Sequence, residues 1–144
     1  ADAADFAAIA ARIIPTTDTP GATEAGVIHF FDRALGTELR GMLDGLLAQL
    51  ADLNSEIVAA NLGVPRFADL DEAQQDERLA AIETESFFQS VWHLTMFGFF
   101  AMSQYGGNKG NVGWDLIGFE GDHGPWQYPF GHYDAEYAAE NANG

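Results

Sequence analysis

Residues 39–57 read LRGMLDGLLAQLADLNSEI, and Leu39, Leu43, Leu46, Leu50, Leu53 and Ile57 recur there at alternating steps of four and three. That spacing lays one continuous apolar seam along a long helix. Such a seam belongs to a core, with a groove for a partner helix as its other use. Gly63 and Pro65 are expected to stop the helix. Upstream, residues 2–14 place Phe6, Ile9, Ala10 and Ile13 on one helical face, and Pro15 closes that segment by pushing Ile14 out of the α region. The stretch from Pro15 to Gly21 is a turn-rich connector. Pro20 suits the first position of a second helix, in which Val27, Phe30, Phe31, Ala34 and Leu35 repeat until Gly36. Downstream, Asp71 with Gln74 forms a capping box that opens a fourth helix to about Glu83. A fifth runs from about Thr84 to Ser103 and carries Phe87, Phe88, Val91, Trp92, Phe97, Phe99 and Phe100. Its second half is apolar all round, so it is buried on every side or meets a partner. The predicted fold class is all-α, about five helices, with no internal repeat.

Beyond this point the composition changes. Tyr105 to Gly131 spans 27 residues, eight of them Gly and six aromatic, namely Tyr105, Trp114, Phe119, Trp126, Tyr128 and Phe130. Glycine at that density does not sustain a helix, and no strand alternation replaces it, so a long irregular arm is expected. Irregular segments of this length in compact domains usually bind something. Fourteen of the 18 aromatics lie at or after Phe87, more than a small helical core holds, which places some of them at a surface meant to be covered. The organisation is therefore a helical domain over 1–104 and a partner-clasping C-terminal arm of the same domain over 105–144, ending in a short Ala- and Glu-rich helix or tail.

Length and charge narrow the function. At 144 residues the chain is one domain with a real core. Six basic residues against 22 acidic ones give a net charge of −16, which repels phosphate backbones and anionic lipid and excludes a nucleic-acid binder. Zero cysteines exclude a disulfide framework, thiolate zinc, an iron–sulfur cluster, covalently attached haem and a cysteine nucleophile. The longest apolar stretch, Val91 to Met102, is too short to span a bilayer as a helix. Nothing at Ala1 reads as a signal peptide, so the chain is expected to be cytoplasmic or already processed.

No residue set marks a reaction centre. Glu120-Gly121-Asp122-His123 with His132 and Asp134 is the best metal candidate, but its spacing matches no recurring motif, and a solvated acidic loop accounts for it. His29 beside the stripe of the second helix and His93 within that of the fifth lack a convergent nucleophile. Gly106-Gly107-Asn108-Lys109-Gly110 has neither phosphate-binding spacing nor a preceding strand, so a turn is the better reading. The carboxylates at Asp69, Asp71, Glu72, Glu83 and Glu85 sit at solvated helix ends and make no glycosidase pair. Residue chemistry alone leads to an acidic helical domain whose aromatic, glycine-rich arm clasps a partner.

Two stretches resemble the gluconate 2-dehydrogenase subunit 3 family. The first is Ile13-Ile14-Pro15, then Asp18 to Ala22, Glu24 to Val27 and Phe31-Asp32. The second is Tyr105 to Asn108, then Val112-Gly113-Trp114 and Leu116 to Phe119. With Phe87-Phe88, the resemblance covers about half of the chain. Glu120 stands where a Pro is common in the family, and Asp122 to Gly144 extends past its core pattern. The resemblance implies a non-catalytic accessory subunit of a large FAD-dependent flavoprotein of the glucose–methanol–choline type, which oxidises a sugar or sugar-acid hydroxyl, as in glucose or glycoside 3-dehydrogenases. It implies that FAD lies in that partner and haem c in a multihaem cytochrome third subunit. It also implies a periplasmic site reached by the twin-arginine route, the signal already removed, with the small subunit maturing and co-exporting the flavoprotein.

Joined to the residue chemistry, it makes Phe99, Tyr105, Gly106, Gly107, Asn108, Trp114, Phe119, Trp126 and Tyr128 the expected partner interface. His123, Trp126 and His132 are the candidates to reach the partner's substrate pocket. Two other readings stand beside this one: a stand-alone metal enzyme using Asp122, His123 and His132, and a general helical adaptor unrelated to redox enzymes.

Overall fold

The structure, a computed structural model, describes residues 2–60 and 62–119. Among these the chain forms six α-helices and no strand: α1 (Asp2–Ile13), α2 (Val27–Gly36), α3 (Arg40–Ala59), α4 (Glu72–Ala81), α5 (Ser86–Phe100) and α6 (Val112–Ile117). Single 3-10 turns lie at Phe67–Asp69, Ser103–Tyr105 and Lys109–Asn111. The all-α class and the first five helices follow the sequence reading. The short α6 does not, because it forms inside the stretch expected to be irregular.

Local chemistry sets the helix ends. α1 is alanine-rich, with Asp2 and Asp5 in its first turn and Arg12 in its last, each complementing the helix dipole. α2 starts at Val27 and not at Pro20 as expected. The intervening residues make a separate turn, in which Ala22 N donates to Ile14 O at 2.9 Å and Val27 N to Ala22 O at 3.1 Å. Glu24 pins that turn by accepting from the Thr16 hydroxyl at 2.6 Å and from Gly21 N at 2.8 Å. Those two donors, the hydroxyl foremost, hold its carboxyl below the usual carboxylate range. The capping box of α4 forms as read: Gln74 N donates to the Asp71 side chain at 2.9 Å, and Asp71 N to the Gln74 side chain at 3.2 Å. α3 closes at Ala59, ahead of Gly63, and α5 closes at Phe100 because Ala101 is extended.

The seam of α3 lies in the core. Leu46, Leu50, Leu53 and Ile57 are buried, while Leu39 and Leu43, at its entry, are half-buried. Phe6 of α1 ties three helices together, its ring 5.9 Å from Phe31 of α2 and 6.4 Å from Phe87 of α5. α2 packs along α5, and this pair carries the C-terminal part of the molecule.

A buried carboxylate fastens the connection between α3 and α4. Asp5 is 0% exposed and accepts from Ala68 N at 2.9 Å and from the Asn54 side-chain amide at 3.1 Å. Asn54 in turn accepts from Phe67 N at 2.9 Å. Gln75 donates to the carbonyls of Phe67 and Leu70, both at 3.2 Å, and so secures the other side of the same loop. A charge without water needs donors of this kind, and they stitch α1, α3 and the loop into one body.

Candidate partner-docking face

Asn108 organises the glycine-rich segment after α5. It is 0% exposed and left-handed at φ 46°, a conformation that Asn tolerates better than most residues. Its N–H donates to Gly98 O at 2.8 Å, its side-chain amide donates to Ala101 O at 3.0 Å, and its side-chain oxygen accepts from Gly113 N at 2.8 Å. Thus one side chain satisfies a carbonyl at the end of α5 and an amide at the start of α6.

Two glycines allow the close approach. A Cβ at position 107 would stand 2.0 Å from Gly98 O, and one at position 113 would stand 2.1 Å from Phe99 O. Only residues without a side chain fit there. Trp114 completes the attachment by donating its indole N–H to Phe100 O at 2.7 Å, and its ring meets Phe119 edge-on at 5.2 Å.

The segment is also joined to the first turn. Lys109 N donates to Ala25 O at 2.9 Å, and Gly106 lies against the backbone of His29. The two stretches singled out in the sequence, some 80 residues apart, therefore meet across the start of α2.

Much of what this assembly leaves outward is large and apolar, beside the exposed Gln104, Lys109 and Asp115. Phe97, Met102, Tyr105, Leu116, Ile117 and Phe119 are all exposed, with Ile117 at 61% and Phe97 at 59%. Phe97, Met102, Leu116 and Ile117 were not singled out as site residues. The all-round apolarity of α5 signalled Phe97, but only the seating of residues 106–113 decides which of its sides is covered.

The expected interface divides accordingly. Tyr105 and Phe119 are exposed and Trp114 is half-buried, so these three can be touched from outside. Phe99, Gly107 and Asn108 are corrections: all three are buried within the chain itself, Phe99 beneath Gly113. They build the face without being part of its surface, and Gly106, half-buried against His29, does the same. Trp126, Tyr128 and the Asp122, His123 and His132 set lie outside the described residues.

The chemistry of the described residues is sparse. No group of three or more His, Asp or Glu among them could hold a metal ion. His93 is exposed, with Nδ1 2.7 Å from Gln89 O and the ring 5.0 Å from that of Trp92. The Gly106–Gly110 loop does not fit a flavin phosphate, because the amides of Asn108 and Lys109 are already engaged by Gly98 O and Ala25 O. Arg12 is occupied by Asp76 and Glu72, both at 2.8 Å, and the guanidinium's hydrogen bond holds the Asp76 carboxyl below its usual range. No helix among the described residues is long and apolar enough to cross a membrane.

Fold and surface define a small all-helical domain in which, among the described residues, six of the nine exposed large hydrophobic side chains fall between residues 97 and 119. The model of the gluconate 2-dehydrogenase subunit 3 family matches residues 1–121, and the chain belongs to that family, one named for a subunit of a multi-subunit dehydrogenase. No curated protein and no solved structure matches the chain.

Proposed function

We propose that this chain is a non-catalytic accessory subunit of a periplasmic FAD-dependent sugar dehydrogenase, and that it stabilises, matures and co-exports the flavoprotein by the twin-arginine route. In this reading FAD resides in a large subunit of the glucose–methanol–choline type, which oxidises a sugar hydroxyl, and electrons leave through a cytochrome bearing haem c. The observation that carries it is the exposure of Phe97, Tyr105, Leu116, Ile117 and Phe119 in a chain that belongs to this family. Large apolar side chains that lose water on association commonly dominate binding energy, and truncating one costs on the order of 2 kcal/mol or more. Family membership names the kind of complex, and the face supplies the means of joining it.

The test is expression of the large subunit with and without this chain. Flavoprotein yield, its periplasmic fraction and its flavin content should all fall when the chain is left out. They should fall also with Ile117→Asp, whose side chain is 61% exposed, while the thermal melt of the chain stays close to wild type. Equal values in all three cultures would overturn the role.

A further inference from the structure

A groove of about 520 Å³ runs between the C-terminal half of α2 and the end of α5, with Phe30, Arg33 and Leu39 on one side and Phe97, Ala101 and Tyr105 on the other. Among the described residues, Arg33 is fixed at this groove by a single bond, from Nη1 to Gln104 O at 2.7 Å. Arg12 and Arg66 are each neutralised by carboxylates of the chain itself, whereas Arg33 makes no ion pair among the described residues. Glu38 is the other charged residue lining the groove.

We propose that this groove receives an extended segment of the dehydrogenase subunit, which places an apolar side chain against Phe30 and Phe97 and a carboxylate on Arg33. The inference rests on the accessory-subunit reading and gives it a specific contact. The apolar walls select an apolar side chain. The guanidinium has donors left for a fork-shaped acceptor, and a carboxylate matches that geometry. Glu38 repels the same carboxylate, so it also fixes the direction in which the segment runs. A second copy of this chain is a poor occupant, because two molecules at −16 repel each other.

The experiment begins with the tagged full-length chain and the flavoprotein that it captures from its source, identified and then purified. Affinity is measured for wild type, Arg33→Gln, Arg33→Lys and Ala34→Phe, with thermal melts as the check on folding. Arg33→Gln should weaken binding about tenfold and flatten its salt dependence, while Arg33→Lys, which keeps the charge but not the fork, should keep the salt dependence and recover only part of the affinity. Ala34→Phe, which fills the groove, should weaken binding about a hundredfold. The proposal fails if folded Arg33→Gln and Ala34→Phe both bind like wild type, or if Arg33→Lys flattens the salt dependence as Arg33→Gln does. It fails equally if deleting residues 120–144 tightens binding, since the groove would then hold the chain's own tail. A dimer that Ala34→Phe dissolves would assign the groove to a second copy, with the same result. If wild type captures no flavoprotein, the accessory reading itself falls, whereas capture that ignores these variants removes only the groove.

Discussion

The helical body up to residue 85 and the end that follows it are built on opposite electrostatic plans. The body carries five basic and sixteen acidic residues, a net of −11, while residues 86–119 carry one of each, Lys109 and Asp115. Each part is nonetheless fastened by one fully buried polar side chain that reaches across chain segments. In the body it is the carboxylate of Asp5, and in the end it is the neutral amide of Asn108. Asp5 gathers donors only. Asn108 both donates and accepts, so it can bridge a helix C-terminus to a helix N-terminus without introducing charge. A surface meant to be covered by another protein gains from that economy, since uncompensated charge at the centre of an interface opposes its desolvation.

The sharpest way to break the contrast is to remove the charged latch. Asp5→Ala orphans Ala68 N and the Asn54 amide in a site closed to bulk solvent, and should lower stability by about 3 kcal/mol, read as the midpoint of urea unfolding. Because the end is seated on helices that the latch holds in place, both regions should unfold together. Survival of the body with a shift under about 1 kcal/mol would mean that the loop is held by packing alone.

A smaller effect, confined to the end, is expected from Gly107→Ala. The added methyl meets Gly98 O, and lifting the segment should cost about 2 kcal/mol. Helical circular dichroism of the body should persist while limited proteolysis between residues 101 and 119 accelerates and flavoprotein binding is lost. Unchanged proteolysis would show that residues 106–113 are seated elsewhere.

The smallest effect is acid dependence of the turn that joins the two regions. Glu24 has a folded pKa below its ordinary value, so its contribution is complete above the carboxylate range and disappears as pH falls through the folded pKa. Glu24→Gln should therefore melt below wild type at neutral pH, with the gap closing towards pH ~3. A gap that stays constant would mean that the carboxylate's charge plays no part.

How much of this was readable beforehand follows from sequence distance. The α3 seam and the Asp71–Gln74 capping box announce themselves because periodicity and capping act within a turn or two of the chain. Even the seam has an unread detail, the half-exposure of Leu39 and Leu43, which depends on what the start of α3 faces. The Asp5 latch joins residues 63 apart and leaves no periodic trace. Asn108 and Phe99 were read as partner-interface residues, because nothing in the local pattern shows that both are buried within the chain. Gly107 and Gly113 were read as part of a glycine density that would not sustain a helix, yet Gly113 lies in α6. Their tight seating on α5, which draws Phe99 inward, depends on a backbone that the local pattern does not contain. Of the exposed apolar side chains, Tyr105 and Phe119 were named from the sequence, whereas the exposure of Phe97, Leu116 and Ile117 needed the seating to be known.

The bond from Lys109 N to Ala25 O has a bearing on biosynthesis. During translation α1 to α5 leave the ribosome before the residues that cover Phe99, so a nascent chain shows bare hydrocarbon at the tip of α5. The adhesive patch takes its final form only once residue 113 has emerged and Asn108 has closed over α5. Chains aborted before residue 113 would leave the tip of α5 uncovered, so assembly on this end waits for that residue.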